Sequence, residues 1–363
     1  MNQQNREGIV VATTAVPGSR RDEYLAAFQQ YAENHGKRVK ICDIGKLLFE
    51  QAENIGIFLT PEKVLNTPLP TLNAIRATVL ERILQDLPEL KKEFDVIILN
   101  IHAFFYWRHS YVPALDTYYL AQLKPDWYIT FLDDVGSTLR SLKERLQWQR
   151  EFFRAELSLQ YAIEKILDWQ SIEMETTRMW ADHSEAKFFV VPSKARASIL
   201  YRILFEPWRK IFYFGMPLTM VGDNDQAKER IDALAEWLHE AVVLIDPRHV
   251  EPLSAEHLST VYMPMYDQVV WRDLHWLIPQ CRDGMIALHL PGLFSSGEAH
   301  EMREMIETNR NVFLIYPPGP ISPFTTRWTD YPIFRSDEEF KRYFSAWLGP
   351  EYALHVSEFR QKA

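Results

Sequence analysis

The feature that most constrains the fold of this 363-residue chain is a repeated alternation of short apolar runs with longer amphipathic segments. Each run has the length of a strand, and apolar residues recur at helical spacing in the segments between runs. Strands and helices that alternate in this way form parallel sheets covered by helices. The apolar runs are Gly8–Val16, Arg38–Ile44, Asp95–Ile101, Trp127–Leu132, Lys187–Val191, Ile211–Met216, Ala241–Asp246, Gly284–Leu290 and Asn311–Pro317.

The segment Glu206–Lys210 interrupts the alternation and separates two strand–helix series. The chain is long enough for two buried cores, since domains commonly contain 100 to 200 residues. The sequence therefore predicts an α/β protein of two doubly wound parallel-sheet domains, residues 1–206 and 207–363.

Composition and charge exclude several classes of protein. The net charge is −9, so a nucleic-acid duplex is not an expected partner. The two cysteines, Cys42 and Cys281, are far apart and predict neither a disulfide framework nor a structural zinc site. Because no apolar stretch reaches the length of a membrane span or a signal-peptide core, we expect a cytoplasmic protein with no membrane partner.

Two carboxylates in the second series are candidates for catalysis. Glu301 lies one turn into a predicted helix that follows the run Gly284–Leu290, and Asp273 lies in the predicted helix before that run. Ligands of open parallel sheets bind beyond the carboxyl ends of the strands. A carboxylate pair at such a crevice suits chemistry at an anomeric carbon, where positive charge develops. The alternative is that Glu301 only complements the helix dipole.

Three segments of the second series together resemble the nucleoside 2-deoxyribosyltransferase family, over roughly residues 210–320. They are Ile211–Gly215 (IFYFG), Trp271–Ile278 (WRDLHWLI) and Gly297–Met302 (GEAHEM). The resemblance implies that Glu301 attacks C1′ and holds a glycosyl intermediate. It also implies that Asp273 is the acid or base that serves the nucleobase, and that Tyr213 orients the nucleophile.

The same resemblance implies a set of substrate-binding residues around these three. Arg303 stands where the family usually has glycine, and an arginine there favours a nucleotide-like substrate over a free nucleoside. Without a retained acceptor base, water completes the reaction, so an N-glycosidase and a transferase both stay open. The predicted substrate-binding residues are Gly215, Gly297, His275, His300 and Arg303.

In the first series, the segment Ala15–Asp22 occupies the position of a phosphate-binding P-loop, after the first strand and before a helix. A functional P-loop reads GxxxxGK[ST], because its backbone amides and lysine bind phosphates and its hydroxyl binds magnesium. Here Ala15, Arg20, Arg21 and Asp22 replace the four defining residues.

Other segments of this half, among them Asp43–Glu50 and Leu123–Ile129, resemble adenylate kinase-like P-loop kinases over about residues 8–206. The resemblance implies a nucleotide-binding frame with a degenerate P-loop. The residues predicted to contact a phosphate are Pro17, Gly18, Arg20 and Arg21, and the alternative for this cluster is a solvated group of charges.

These observations combine into one functional hypothesis and two alternatives. The hypothesis is an enzyme that cleaves or transfers the N-glycosidic bond of a nucleoside, nucleotide or nucleotide-like molecule, with the first domain as a nucleotide-sensing or assembly module. The alternatives are a non-catalytic nucleotide-binding scaffold and a nucleotide kinase with an unusual P-loop. By resemblance we expect a homo-oligomer, and no cofactor or metal is predicted, because the histidines lack HxH or HExxH spacing.

Overall fold

The computed structural model describes residues 7–114, 116–153, 157–221, 224–250, 263–290, 292–293, 295–350 and 352–353. The chain consists of two compact units, Met1–Ala197 and Ser198–Ala363. The division falls after Ala197, the first residue of the helix Ala197–Phe205, whereas the sequence predicted it after that helix.

The first unit contains a five-stranded parallel sheet in the order β2-β3-β1-β6-β7. Its strands are β1 (Ile9–Ala15), β2 (Val39–Asp43), β3 (Val96–Asn100), β6 (Trp127–Leu132) and β7 (Lys187–Pro192), and β4 (Phe104–Trp107) and β5 (Ser110–Pro113) form a separate antiparallel hairpin. The helices are α1 (Arg21–Asn34), α2 (Ile44–Asn54), α3 (Leu69–Glu93), α4 (Thr117–Leu123), α5 (Val135–Lys143), α6 (Leu146–Phe152) and α7 (Leu159–His183), with a 3-10 turn at Val64–Asn66.

The central strands of this sheet are apolar because helices cover both of its faces. Every residue of β3 is buried, as is every residue of β1 after Ile9. Parallel strands that are buried on both faces have continuous Val- and Ile-rich sequences, which is what the apolar runs contain.

The second unit contains a four-stranded parallel sheet in the order β11-β10-β8-β9. Its strands are β8 (Ile211–Gly215), β9 (Val243–Ile245), β10 (Gly284–Leu288) and β11 (Asn311–Ile315). The helices are α8 (Ala197–Phe205), α9 (Leu218–Val221), α10 (Asp225–Ala241), α11 (Met263–Arg272), α12 (Ile278–Gln280), α13 (Ser296–Glu307) and α14 (Asp337–Leu348), with 3-10 turns at Pro247–His249 and Thr325–Trp328 and a π-helical turn at Asp273–Leu277.

Aromatic side chains form much of the second core. Phe212 of β8, Phe313 of β11 and Phe344 of α14 are fully buried and contact one another edge to face. Such pairs add to the stabilisation that burial alone gives. This cluster fixes α14 against one face of the sheet.

The strand order of the second unit has one point where the direction of winding reverses. The chain passes from β8 to β9 on one side, and then crosses back to β10 on the other side of β8. Ligands of open parallel sheets bind at such a reversal, beyond the carboxyl ends of the strands. The ends of β8 and β10 therefore mark the candidate site.

The predicted α/β class with parallel sheets is confirmed. In the part of the chain that the structure describes, no helix is long and apolar enough to cross a membrane.

Candidate active site

Helix α13 begins directly beyond the end of β10 and brings Glu301 to the reversal point. Ser295 caps the helix, because its Oγ accepts a hydrogen bond from the backbone N–H of Glu298 at 3.1 Å. Capping by a serine side chain satisfies one of the amides that the first helical turn leaves without an intrahelical partner. Glu301 follows one turn after this cap.

Tyr213 and Glu301 are brought together although they are far apart in sequence. The Tyr213 hydroxyl donates a hydrogen bond to Oε1 of Glu301 at 3.0 Å. Tyr213 is fully buried in β8, whereas Glu301 is half-buried. The rigid strand therefore fixes the orientation of the carboxylate.

Gly215, the last residue of β8, leaves space for that carboxylate. A Cβ atom at this position would lie 3.3 Å from Oε2 of Glu301 and 1.9 Å from Cε of Met285. Any larger residue would have to displace Met285 and would crowd the carboxylate. The predicted site residues Tyr213, Gly215 and Glu301 thus form one group at the carboxyl end of β8.

Asp273 is the first residue of the π-helical turn, which packs against α13. It is 8% exposed, and Nε of Arg272 lies 3.3 Å from its Oδ1. Burial raises the pKa of the Asp273 carboxyl, and the Arg272 guanidinium opposes this rise. A raised pKa suits a carboxyl that donates a proton. Single π-helical turns also occur frequently at functional sites.

The other predicted substrate-binding residues lie on α13 and in the π-helical turn. Arg303 follows Glu301 by two residues, which turns it to another face of the helix, where its Nε is 2.7 Å from Oε1 of the exposed Glu307. His300 is exposed and its Nδ1 lies 2.9 Å from the carbonyl oxygen of Ser296. Gly297 is exposed in the first turn of α13, and the ring of the exposed His275 contacts that of Trp271 at a tilt of 40°.

Sequence reasoning missed a second buried carboxylate near the start of α13. Glu298 is 3% exposed, and its Oε2 lies 3.8 Å from Nδ1 of His289, which follows β10. The ring of His289 stacks on that of Tyr316 with centroids 4.2 Å apart. Among the described residues, Oε1 of Glu298 has no hydrogen-bond partner. Ser-x-x-Glu is the pattern of a capping box, in which the glutamate satisfies a backbone amide, so the sequence carries no separate signal for a buried carboxylate here.

One group of side chains in the second unit has ligand types that hold metal ions. His239, Asp246 and His249 offer nitrogen and oxygen atoms within 4.8 Å of one another. The sequence interpretation of scattered histidines overlooked this group, because its members lie on different elements. Arg248 donates to both carboxylate oxygens of Asp246. This cation next to the carboxylate lowers the affinity of the group for a second cation.

In the first unit, the arginines of the P-loop position bind groups of the protein. Nε and Nη2 of Arg20 each donate to a carboxylate oxygen of Asp133 at 2.8 Å, and Arg20 is in the left-handed conformation at φ 57°. Arg21 is buried and donates to the carbonyl oxygen of Ile101. Its Nη2 lies 3.2 Å from Nε2 of His102. Neither guanidinium is arranged around an empty phosphate position.

The predicted phosphate-contacting residues Pro17 and Gly18 lie in a tightly packed turn. Pro17 is buried, and Gly18 has a φ of 86°. A Cβ atom at Gly18 would lie 2.9 Å from Oγ of Ser141 on α5. The glycine is therefore required by backbone conformation and by the close approach of α5.

A buried acid and a buried histidine lie behind this loop. Glu173 of α7 accepts hydrogen bonds from the backbone N–H groups of Ala103 at 2.8 Å and Phe104 at 2.9 Å. Burial raises the pKa of Glu173 to about 8, and burial lowers the pKa of His102 to about 3. Both groups are consequently neutral at pH 7.

Comparison with known proteins gives matches of structure but none of sequence. No model of a known protein family matches the chain. The curated proteins contain no match either.

Two solved structures resemble part of the chain. Shikimate kinase from Bacteroides thetaiotaomicron has a TM-score of 0.32 and 10% identity, covering 55% of this chain and 98% of that chain. TT1252 from Thermus thermophilus has a TM-score of 0.30 and 14% identity, covering 51% of this chain and 89% of that chain. Similarity at this level gives no basis for assigning an activity.

Proposed function

We propose that the second unit cleaves or transfers the N-glycosidic bond of a nucleoside, nucleotide or nucleotide-like molecule, with Glu301 as nucleophile. The hydrogen bond from the buried Tyr213 hydroxyl to the Glu301 carboxylate, at the reversal of strand order, is the observation that carries this proposal. A carboxylate held on one oxygen by a rigid strand presents its other oxygen in a fixed direction. Fixed orientation of a nucleophile is a large part of catalysis at an anomeric carbon.

The chemistry divides between two carboxyl groups. Oε2 of Glu301 attacks C1′ as the bond to the base nitrogen breaks, which forms a glycosyl ester. The departing base is a poor leaving group until it gains a proton, and Asp273, whose pKa is raised by burial, supplies it. A second base or water then attacks C1′ and releases Glu301, so the product is a new nucleoside or a free sugar.

The first test is release of free base from a panel of nucleosides, deoxynucleotides and NAD, followed by chromatography. Glu301→Gln keeps the size and the hydrogen-bonding capacity of the side chain but removes the nucleophile, so base release should fall by about 10²-fold or more. Glu307→Gln, on the exposed end of the same helix, is the matched control and should retain activity. Full activity in Glu301→Gln contradicts the proposal.

The role of Asp273 has its own test. Asp273→Asn should slow release of an ordinary base much more than release of a leaving group that needs no proton, such as 4-nitrophenolate from a 4-nitrophenyl deoxyriboside. General acids contribute about 10²- to 10⁴-fold, so the two substrates should separate by a similar factor. Equal losses on both substrates would exclude Asp273 as the acid.

For the first unit we infer an assembly or sensing role without phosphoryl transfer. This inference rests on the contacts of Arg20 and Arg21, whose guanidinium groups bind Asp133 and the carbonyl oxygen of Ile101. With those contacts in place, the loop lacks the free cation that P-loop chemistry requires. Phosphate release from ATP with Mg²⁺, abolished by Arg21→Ala, would instead establish a kinase or ATPase.

A further inference from the structure

Three metal-ligating side chains meet beside β9, at the edge of the second sheet. His239 lies in the last turn of α10, Asp246 follows β9 directly, and His249 ends the 3-10 turn that comes next. One ligand atom from each side chain lies within 4.8 Å of the other two. The two imidazole rings are tilted by only 27°, with centroids 6.1 Å apart. Two imidazoles and a carboxylate from three elements thus form one compact group.

The spacing of this group is close to that of a coordinated ion. Ligand atoms about 2.1 Å from one Zn²⁺ ion lie no more than about 4.2 Å apart. Because the three ligand atoms already lie within 4.8 Å, side-chain shifts of about 0.6 Å or less bring all of them to bonding distance. No change in the backbone is needed.

Secondary structure and burial hold the ligands in place before an ion binds. His239 is 4% exposed, and Asp246 is fully buried. Oδ1 of Asp246 also accepts a hydrogen bond from the backbone N–H of Arg248 at 3.0 Å, which fixes the turn that carries His249. Ligands whose positions are already fixed lose little conformational freedom on binding, so an ion gains more affinity from each of them.

Arg248 competes with an ion for Asp246 but does not neutralise the group. Its Nε lies 3.0 Å from both carboxylate oxygens of Asp246, and its Nη1 lies 2.5 Å from Oδ1 of Asp232. The guanidinium is therefore shared by two carboxylates, which leaves one negative charge in excess. Carboxylates that bind metals commonly accept further hydrogen bonds, so Asp246 can bind an ion while Arg248 keeps its contact with Asp232.

The ligand types select the class of ion. Imidazole nitrogens suit Zn²⁺ and its neighbours among the transition metals, whereas Mg²⁺ and Ca²⁺ take oxygen ligands. Zn²⁺ also adapts to an irregular ligand set, because its filled d shell imposes no geometry. Two histidines and one carboxylate are an established set of three protein ligands for zinc, with water in the fourth position.

We propose that the second unit binds one Zn²⁺ ion through His239, Asp246 and His249, with water as the fourth ligand. The strand β9 contains only three residues and pairs with β8 at the edge of the sheet. The ion links the last turn of α10 to the segment after β9, so it stabilises this short edge strand. The site is separate from the proposed glycosidic chemistry and does not depend on it.

Titration calorimetry of the full, tag-free and chelator-treated chain with Zn²⁺ tests the proposal. We expect one Zn²⁺ per chain with a Kd of about 1 μM, weaker than four-ligand structural sites because Arg248 competes for Asp246. Co²⁺ in place of Zn²⁺ should give the strong visible absorption of a four-coordinate ion. The absence of a one-to-one site, or only the weak absorption of six-coordinate Co²⁺ on scattered surface histidines, would overturn the proposal.

Variants locate the bound ion. His249→Gln removes a half-buried ligand and should weaken Zn²⁺ binding by about 100-fold or more, whereas His183→Gln, at an exposed position of the first unit, should keep the wild-type affinity. Arg248→Gln removes the competing cation and should tighten binding by about 10-fold. A folding defect does not tighten binding, so Arg248→Gln tests the site even where His249→Gln folds poorly. Wild-type affinity in His249→Gln or in Arg248→Gln would place the ion elsewhere and contradict the proposal.

Thermal unfolding gives a second readout. At a free Zn²⁺ concentration of about 100 times Kd, the unfolding temperature of the second unit should rise by about 5 °C or more. The same concentration of Mg²⁺ should leave it unchanged. An equal rise in the wild type and in His249→Gln would show that the stabilising ion is not bound by this group.

Discussion

Glu173→Gln should remove a pH dependence of stability from the first unit. Glu173 is 1% exposed, and its two oxygens accept hydrogen bonds from Ala103 and Phe104. Burial raises its pKa from 4.5 to about 8 in spite of these bonds and of the nearby Arg21. The difference corresponds to about 5 kcal/mol for ionisation in the folded state, at 1.36 kcal/mol per pH unit.

The sign of the effect follows from which state holds the proton. Between pH 4.5 and about 8 the folded chain keeps the Glu173 proton that the unfolded chain has lost. Stability from this group is therefore fully present below pH 4.5 and is lost as the pH rises through 8. His102 acts in the opposite sense, because its pKa is lowered from 6.5 to about 3, so its contribution is complete above pH 6.5. From pH 6.5 to 8 His102 does not offset the stability lost through Glu173. This loss amounts to roughly 1–2 kcal/mol, since Glu173 of the folded chain is half ionised at pH 8.

Hydrogen exchange of the β3 amides measures this change within the first unit. At each pH the wild type is compared with Glu173→Gln, which cancels the pH dependence of chemical exchange. We expect protection in the wild type, relative to the variant, to fall by about 15-fold between pH 6.5 and 8. Glu175→Gln, partly exposed on the same helix, is the control and should show no such change. If the ratio of wild-type protection to Glu173→Gln protection does not change with pH, the two backbone amides outweigh burial and keep the Glu173 carboxylate ionised.

Three further predictions concern the second unit. Tyr213→Phe removes a hydrogen bond to a charged group, which contributes about 1.5–3 kcal/mol. We therefore expect kcat/KM for base release to fall about 10- to 100-fold. An unchanged kcat/KM would show that Tyr213 has no part in the mechanism. Gly215→Ala should reduce kcat/KM for base release, because the added methyl group crowds Glu301. It should also lower the free energy of unfolding in denaturant by about 1–3 kcal/mol, because Met285 has to move. Wild-type values of both quantities would contradict this account. Phe344→Ala opens a cavity in the second core and should cost about 3–5 kcal/mol in denaturant unfolding, and a loss below 1 kcal/mol would show that the core refills.

Most of the fold could be predicted because buried parallel strands leave a local signal. The predicted run Gly8–Val16 contains β1, and Gly284–Leu290 contains β10. The antiparallel hairpin β4–β5 was not predicted, since its aromatic residues are partly exposed and lack the alternation of a strand. The π-helical turn that begins at Asp273 was also missed, because a single i→i+5 turn within a longer helical segment is too short to give a sequence pattern of its own.

The candidate site could be predicted less completely, because side-chain direction depends on contacts between distant segments. Tyr213 and Glu301 meet because β8 pairs with β10 and α13 returns over both strands. The assignments of Glu301 and Asp273 as catalytic residues remain predictions that no comparison tests. Arg20 shows that residue type alone does not identify a phosphate site. A guanidinium at a helix N-terminus suits phosphate, but here it is bound by a carboxylate of the protein.

The carboxyl ends of the central strands are arranged differently in the two sheets. In the first unit, groups of the protein itself bind the charged side chains at the ends of the central strands. Arg20 donates to Asp133, and Arg21 donates to the carbonyl oxygen of Ile101. In the second unit, the equivalent end of β8 is a glycine beside a half-buried carboxylate that a buried tyrosine orients. Polar groups that satisfy one another stabilise a fold, whereas a carboxylate that a buried hydroxyl orients at the reversal of strand order is suited to act on a ligand. The proposed bond-breaking chemistry is therefore assigned to the second unit, where the Tyr213 hydroxyl orients Glu301.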